Sequence, residues 1–90
     1  MFKLVFTEAY THRAIRFLRT HPELRPAYGK TLELLEVNPF HPSLRLHKLK
    51  GRLSDLHSVS ITLSYRITLE LLIEGRTIIP VAVGSHDEVY

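Results

Sequence analysis

Four side chains of the kinds that move protons or hold negative charge stand out by position: His47, Arg66, His86 and Tyr90. His86 and Tyr90 belong to the segment Gly84-Ser85-His86-Asp87-Glu88-Val89-Tyr90, which follows the apolar run Thr77 to Val83. Terminal backbone gains little from order unless something ties it down, so charged or small residues are the expectation there. An imidazole and a phenol instead follow a run that a sheet would hold, which gives two proton-transfer groups a rigid mount. Arg45, His47, Lys48, Lys50 and Arg52 fall within eight residues that contain no acid. Their natural complement is a polyanion or an acidic protein; the alternative is a solvated loop.

Length and composition limit what can position these groups. Ninety residues predict one domain, 1–90, that buries roughly 60 to 65 per cent of its unfolded surface. With no cysteine there is no disulfide framework and no thiolate metal site, which fits a reducing compartment, and the cytoplasm is the expected location. Residues 1–6 are too short for the apolar part of a signal peptide, and no stretch nears the ~20 apolar residues of a membrane span. The formal charge of +3 is uneven: residues 1–53 carry ten basic and four acidic side chains.

The elements follow from periodicity. Residues 2–6 read as a short strand, and Thr7 with Glu8 reads as the cap and first turn of a helix running to about Arg19. Tyr10, Ala14, Phe17 and Leu18 form its apolar stripe, so Tyr10 and Phe17 belong to the core. His21-Pro22 breaks that helix, and a second starts between Glu23 and Arg25, with Leu24, Tyr28, Leu32, Leu34 and Leu35 inward and Asn38-Pro39 as its stop. Leu44, Leu46 and Leu49 mark a short strand interrupted by Gly51, and Val59, Ile61 and Leu63 mark another with a polar face. Tyr65 to Ile73 has the cleanest alternation in the chain. In the last strand, Thr77 to Val83, Pro80 signals an edge or a bulge, and Ile79, Val81 and Val83 share a face.

These elements predict an α+β fold in which an N-terminal strand and an αα-hairpin pack on one face of a mostly antiparallel sheet of four to five strands. The face left uncovered carries Ser58, Ser60, Thr62, Arg66 and Thr68. Arg66 then sits near the middle of a concave basic surface, with His47, His86 and Tyr90 at its rim.

The fragments His47-Lys48-Leu49-Lys50-Gly51, Tyr65-Arg66-Ile67 and Gly84 to Tyr90, with Asn38-Pro39-Phe40 closing the helical hairpin, resemble the RelE/ParE superfamily of type II toxins. Within it they look most like the RelE-like mRNA interferases related to YafQ and YoeB. The resemblance runs over nearly the whole chain. It implies a ribosome-dependent endoribonuclease that cleaves mRNA in the ribosomal A site, without metal or cofactor, through attack of a 2′-hydroxyl on the adjacent phosphate. It assigns proton transfer to His47 and His86, phosphate stabilisation to Arg66, nucleotide stacking to Tyr90, and backbone phosphates to Lys48 and Lys50, beside Arg45 and Arg52. Its implied partners are an acidic antitoxin, the mRNA and ribosomal RNA, with no membrane. Ser60 stands where many members have a second arginine or a histidine, and Ser64 where the YafQ-like group has an acid. The segment 52–57 lacks the aromatic common there. Those departures imply a weakened nuclease or a RelE-fold binding protein.

Other readings of the same residues are a surface His86, a core Tyr90, and an Arg66 paired with Glu70 or Glu74 on one strand face. His12, His21, His41 and His57 have no metal-ligand spacing and read as surface residues. No glycine-rich phosphate loop or nucleophile elbow occurs. A ParE-like gyrase-binding toxin is the alternative in a different functional class, though such chains generally lack the terminal histidine and aromatic pair.

Overall fold

The computed structural model describes residues 1–86. Tyr90 therefore lies outside the described residues, and its assigned role is not examined by the geometry below. Strand β1 (Lys3–Leu4) leads into α1 (Glu8–Thr20), and α2 (Arg25–Val37) follows after a 3-10 turn at Pro22–Leu24. Then come β2 (His47–Lys48), β3 (His57–Ser60), β4 (Tyr65–Leu72) and β5 (Thr77–Ser85). They form one five-stranded sheet in the order β1-β5-β4-β3-β2, antiparallel except where β1 runs parallel to β5. The expected α+β architecture is the observed one.

Local chemistry explains the helix ends. The Thr7 hydroxyl accepts the Tyr10 backbone N–H at 3.1 Å, satisfying one of the donors that a helix start leaves unpaired. Pro26 falls in the first turn of α2, where its missing N–H costs nothing. Tyr10, Ala14 and Phe17 of α1 and Tyr28, Thr31 and Leu35 of α2 are buried. They meet Val59, Ile67, Leu69 and Ile78, each fully buried in the sheet. Inside this interface the Tyr10 and Tyr28 hydroxyls share a hydrogen bond of 2.7 Å.

Four strand readings are corrected. The strand expected over Leu44, Leu46 and Leu49 is only His47–Lys48, because Pro42–Leu44 forms a 3-10 turn and Arg45 takes a left-handed conformation. β3 ends at Ser60, because the Thr62 hydroxyl accepts from the backbone N–H groups of Ser64 and Tyr65 and folds 61–64 into a turn, leaving Leu63 exposed at its tip. β4 stops at Leu72. In β5 a bulge intervenes: Thr68 faces Ala82 but Leu69 faces Pro80, so Val81 is the extra residue. Ile78 and Pro80 thereby share the helix-covered side with Val83, and Ile79 lies on the opposite side, instead of Ile79, Val81 and Val83 sharing one face. The signal at Pro80 thus resolves as a bulge, with β1 on the outer side of β5 only as far as Ile78.

Candidate functional site

The strand register sorts the side chains of the sheet, because residues directly opposite one another point to the same side. His47, Ser58, Thr68 and Ala82 form one cross-strand row on the face turned from the helices, and Ser60, Arg66 and Gly84 form the next. His86 follows the last residue of β5, two positions beyond Gly84, at the end of the sheet nearest Arg66. With strands about 4.8 Å apart and about 3.4 Å of rise per residue, the Cα of His47 stands about 12 Å from that of Arg66 on a flat ladder. Arg66 and the end of β5 that leads into His86 lie at one end of the sheet, and His47 marks the opposite flank of the same face.

Arg66 is half-buried, and its Nη1 donates to the Ser60 hydroxyl across the β3–β4 ladder at 3.1 Å. It forms no ion pair with Glu70 or Glu74, so the strand-face pairing is not what holds it. Its Nε is buried without a hydrogen-bond partner, as is the Thr68 hydroxyl two residues along the same strand. The bond to Ser60 fixes the orientation of the guanidinium, whose fork geometry is of the kind that suits phosphate oxygens. Ser60, set apart above as a departure, here serves to aim Arg66. Its burial is a further surprise: Ser58, Ser60 and Thr68 are 0%, 7% and 2% exposed, although they lie on the face that the helices leave uncovered.

At the far flank, the His47 Nδ1 donates to the Arg45 carbonyl at 3.1 Å. In the neutral ring that bond puts the lone pair on Nε2, the atom that can take up a proton. Arg45 itself adopts a left-handed conformation, φ 51°, which turns the chain into β2. Arg45, Lys48, Lys50 and Arg52 are all exposed along this edge of the sheet. Lys48 pairs with His57, however, and so leans to the opposite side of the sheet from His47.

Two histidines read as surface residues are not. His57 is half-buried with its Nδ1 unpartnered, and its pKa is lowered by burial first and then by the positive charges of Lys48 and His47. His21 lies between the rings of Phe17 and Tyr65, 4.9 Å from each, and its Nδ1 is 3.7 Å from Glu23. The contact of His21 with Tyr65 and the surroundings of His57 were not readable from spacing, since both depend on which strand lies beside which. His12 and His41 are exposed as expected, and the His41 ring accepts the Ser43 backbone N–H. Among the described residues, no group of three or more His, Cys, Asp or Glu could hold a metal ion, and no helix is long and apolar enough to cross a membrane.

No protein-family description matches the chain, and no curated protein matches it by sequence. Similarity to solved structures is extensive in shape and low in identity. YafQ from E. coli strain BL21(DE3) matches with a TM-score of 0.80 at 9% identity, over 100% of this chain and 99% of its own. A copper-bound mutant toxin from Helicobacter pylori matches with a TM-score of 0.77 at 20% identity, over 100% of both chains. The YoeB–YefM complex from Staphylococcus aureus matches with a TM-score of 0.71 at 15% identity, over 96% of this chain and 98% of the other. Two helices over a five-stranded sheet, with a parallel N-terminal strand at one edge and the basic segment at the other, give this chain the RelE/YafQ-like toxin fold.

Proposed function

We propose that this protein is the toxin of a type II toxin–antitoxin pair and acts as a ribosome-dependent mRNA endoribonuclease that needs no metal. In that reaction the 2′-oxygen of a nucleotide attacks the adjacent phosphorus, and the bond from phosphorus to the 5′-oxygen of the next nucleotide breaks. The products are a 2′,3′-cyclic phosphate and a 5′-hydroxyl. One group must accept the 2′-hydroxyl proton, one must supply a proton to the departing oxygen, and positive charge must meet the crowded phosphate. The observation that carries the reading is the half-buried Arg66, aimed by Ser60 and left with an unpartnered Nε, near the end of β5 from which His86 follows. Arg66 meets the phosphate and His86 exchanges a proton beside it. His47, with its Nδ1 bonded to the Arg45 carbonyl, lies at the other flank, and Tyr90 stacks on the nucleotide. Arg45, Lys48, Lys50 and Arg52 hold the RNA backbone on the ribosome. An acidic antitoxin covers the basic face when the toxin is silent.

Induced expression tests this directly. Growth arrest is expected, with His86→Ala, Arg66→Ala or deletion of Tyr90 relieving it. Primer extension on ribosome-bound message should show codon-phased cuts. Intact message with inhibited DNA supercoiling would select the gyrase-binding alternative, and a harmless wild type that leaves both processes untouched would select a RelE-fold binding protein without turnover.

A further inference from the structure

We propose that the cleft between α1 and α2 is a binding site for a small uncharged aromatic molecule that carries a hydrogen-bond acceptor, such as an aryl ketone. The cleft has a volume of about 260 Å³, and Phe6, Tyr10, Thr11, Ala14, Ile15 and Tyr28 are among the residues that line it. An apolar cavity of about 150 Å³ already holds a benzene ring, so this one has room for a ring with a short substituent. Phe6 and Ile15 are 46% and 49% exposed, which leaves apolar wall in water. The Phe6 ring stacks on that of Tyr10, with centroids 6.2 Å apart and planes 23° from parallel, and an aromatic ligand extends that stack.

The need for an acceptor comes from a proton count. Two phenols carry two O–H protons, and since the pKa of each is raised, both remain protonated at neutral pH. One proton makes the 2.7 Å bond between Tyr10 and Tyr28; the other has no acceptor among the described residues. The two side chains are 1% and 7% exposed, so that spare donor is buried at the cleft, where a missing partner is costly. The Thr11 hydroxyl does not take the proton, being bonded instead to the Thr7 carbonyl at 2.9 Å. A ligand carbonyl would accept it. A pure hydrocarbon would fill the same walls and leave the proton unpaired, and an anion would meet no cation in the lining to offset its lost hydration.

The cleft belongs to the helical layer, whereas Arg66 and Ser60 lie on the sheet face that the helices leave uncovered, so the inference stands whether or not that face cleaves RNA. The probes are acetophenone, its isostere α-methylstyrene, in which a methylene group replaces the carbonyl oxygen, and benzoate. Each is titrated into the 15N-labelled protein. Shifts should concentrate at the amides of Phe6, Thr11, Ala14 and Ile15, and acetophenone should bind about fivefold more tightly than α-methylstyrene. That preference should vanish in the double variant Tyr10→Phe with Tyr28→Phe, which replaces both partners of the bond by rings of the same shape and so keeps the fold. Ile15→Glu, at an exposed position of the wall, should weaken both neutral probes at least about tenfold. The infrared C=O stretch of bound acetophenone should lie lower in the wild type than in the double variant. Failure of acetophenone to bind, equal affinity for the two neutral probes, a preference that survives loss of both phenols, or tighter binding of benzoate would overturn the proposal.

Discussion

Replacing Thr68 with valine should make this protein more stable. Thr68 sits in β4, flanked by Ser58 on β3 and Ala82 on β5, and is 2% exposed with a hydroxyl that has no hydrogen-bond partner. Burying a hydroxyl without a compensating bond costs roughly 1–3 kcal/mol by protein mutational measures. Thr68→Val exchanges that hydroxyl for a methyl group, keeps the β-branch that suits a strand, and leaves no cavity. About 1–2 kcal/mol of stabilisation is therefore expected. At roughly 4–8 °C per kcal/mol for a domain of this size, Tm should rise by at least about 4 °C. Thermal unfolding followed by circular dichroism reads this, with urea midpoints as a second measure. Thr68→Ala is the control, since it also deletes the hydroxyl but leaves a methyl-sized void and should show little or no gain. If valine lowers Tm or leaves it unchanged, the hydroxyl is satisfied in solution and the reasoning about this row is wrong.

Two pH predictions follow from groups in opposite situations. The pKa of Tyr10 is raised by burial, then by Tyr28 and their shared hydrogen bond, and that of Tyr28 is raised by burial. Unfolded phenols ionise near pH 10 while the folded ones resist, so stability should fall as pH rises past about 10. Tyr10→Phe should cost about 1 kcal/mol at neutral pH through the lost hydrogen bond, yet flatten that alkaline decline; an unchanged slope in urea midpoints between pH 9 and 11 would count against it. His57 is the converse: its pKa is lowered by burial, Lys48 and His47, so its contribution is intact above about pH 6.5 and is lost as pH falls and the unfolded chain takes up the proton. His57→Gln should reduce the loss of urea midpoint between pH 7.5 and 5.5, and an equal loss in both proteins would show that another group governs it.

Much of the architecture was legible because it is local. The stripe of Tyr10, Ala14 and Phe17, the break at His21-Pro22, the tolerated Pro26 and the alternation along β4 all follow from residues within a turn or two of one another. Where the reading slipped, the cause was strand pairing in one case and a side chain's capture of nearby backbone donors in the other. The bulge at Val81 reverses which side chains of β5 face the helices, since one extra residue moves every later one to the other side. β3 stops at Ser60 because the Thr62 hydroxyl captures two backbone donors of the following turn.

The same division runs through the candidate site. By itself the sequence determined that His47, Arg66, His86 and a cluster of cations lie in a small α+β unit with one basic sheet edge, since residue types and periodicity are properties of the chain alone. Tertiary structure decided that Ser60 aims Arg66, that Lys48 pairs with His57 across β2 and β3, and that Arg13 reaches the Val81 carbonyl of β5. Those facts depend on strand order and register. Pairing between strands is specified by the fit of whole faces across the sheet, and no short stretch of residues carries it.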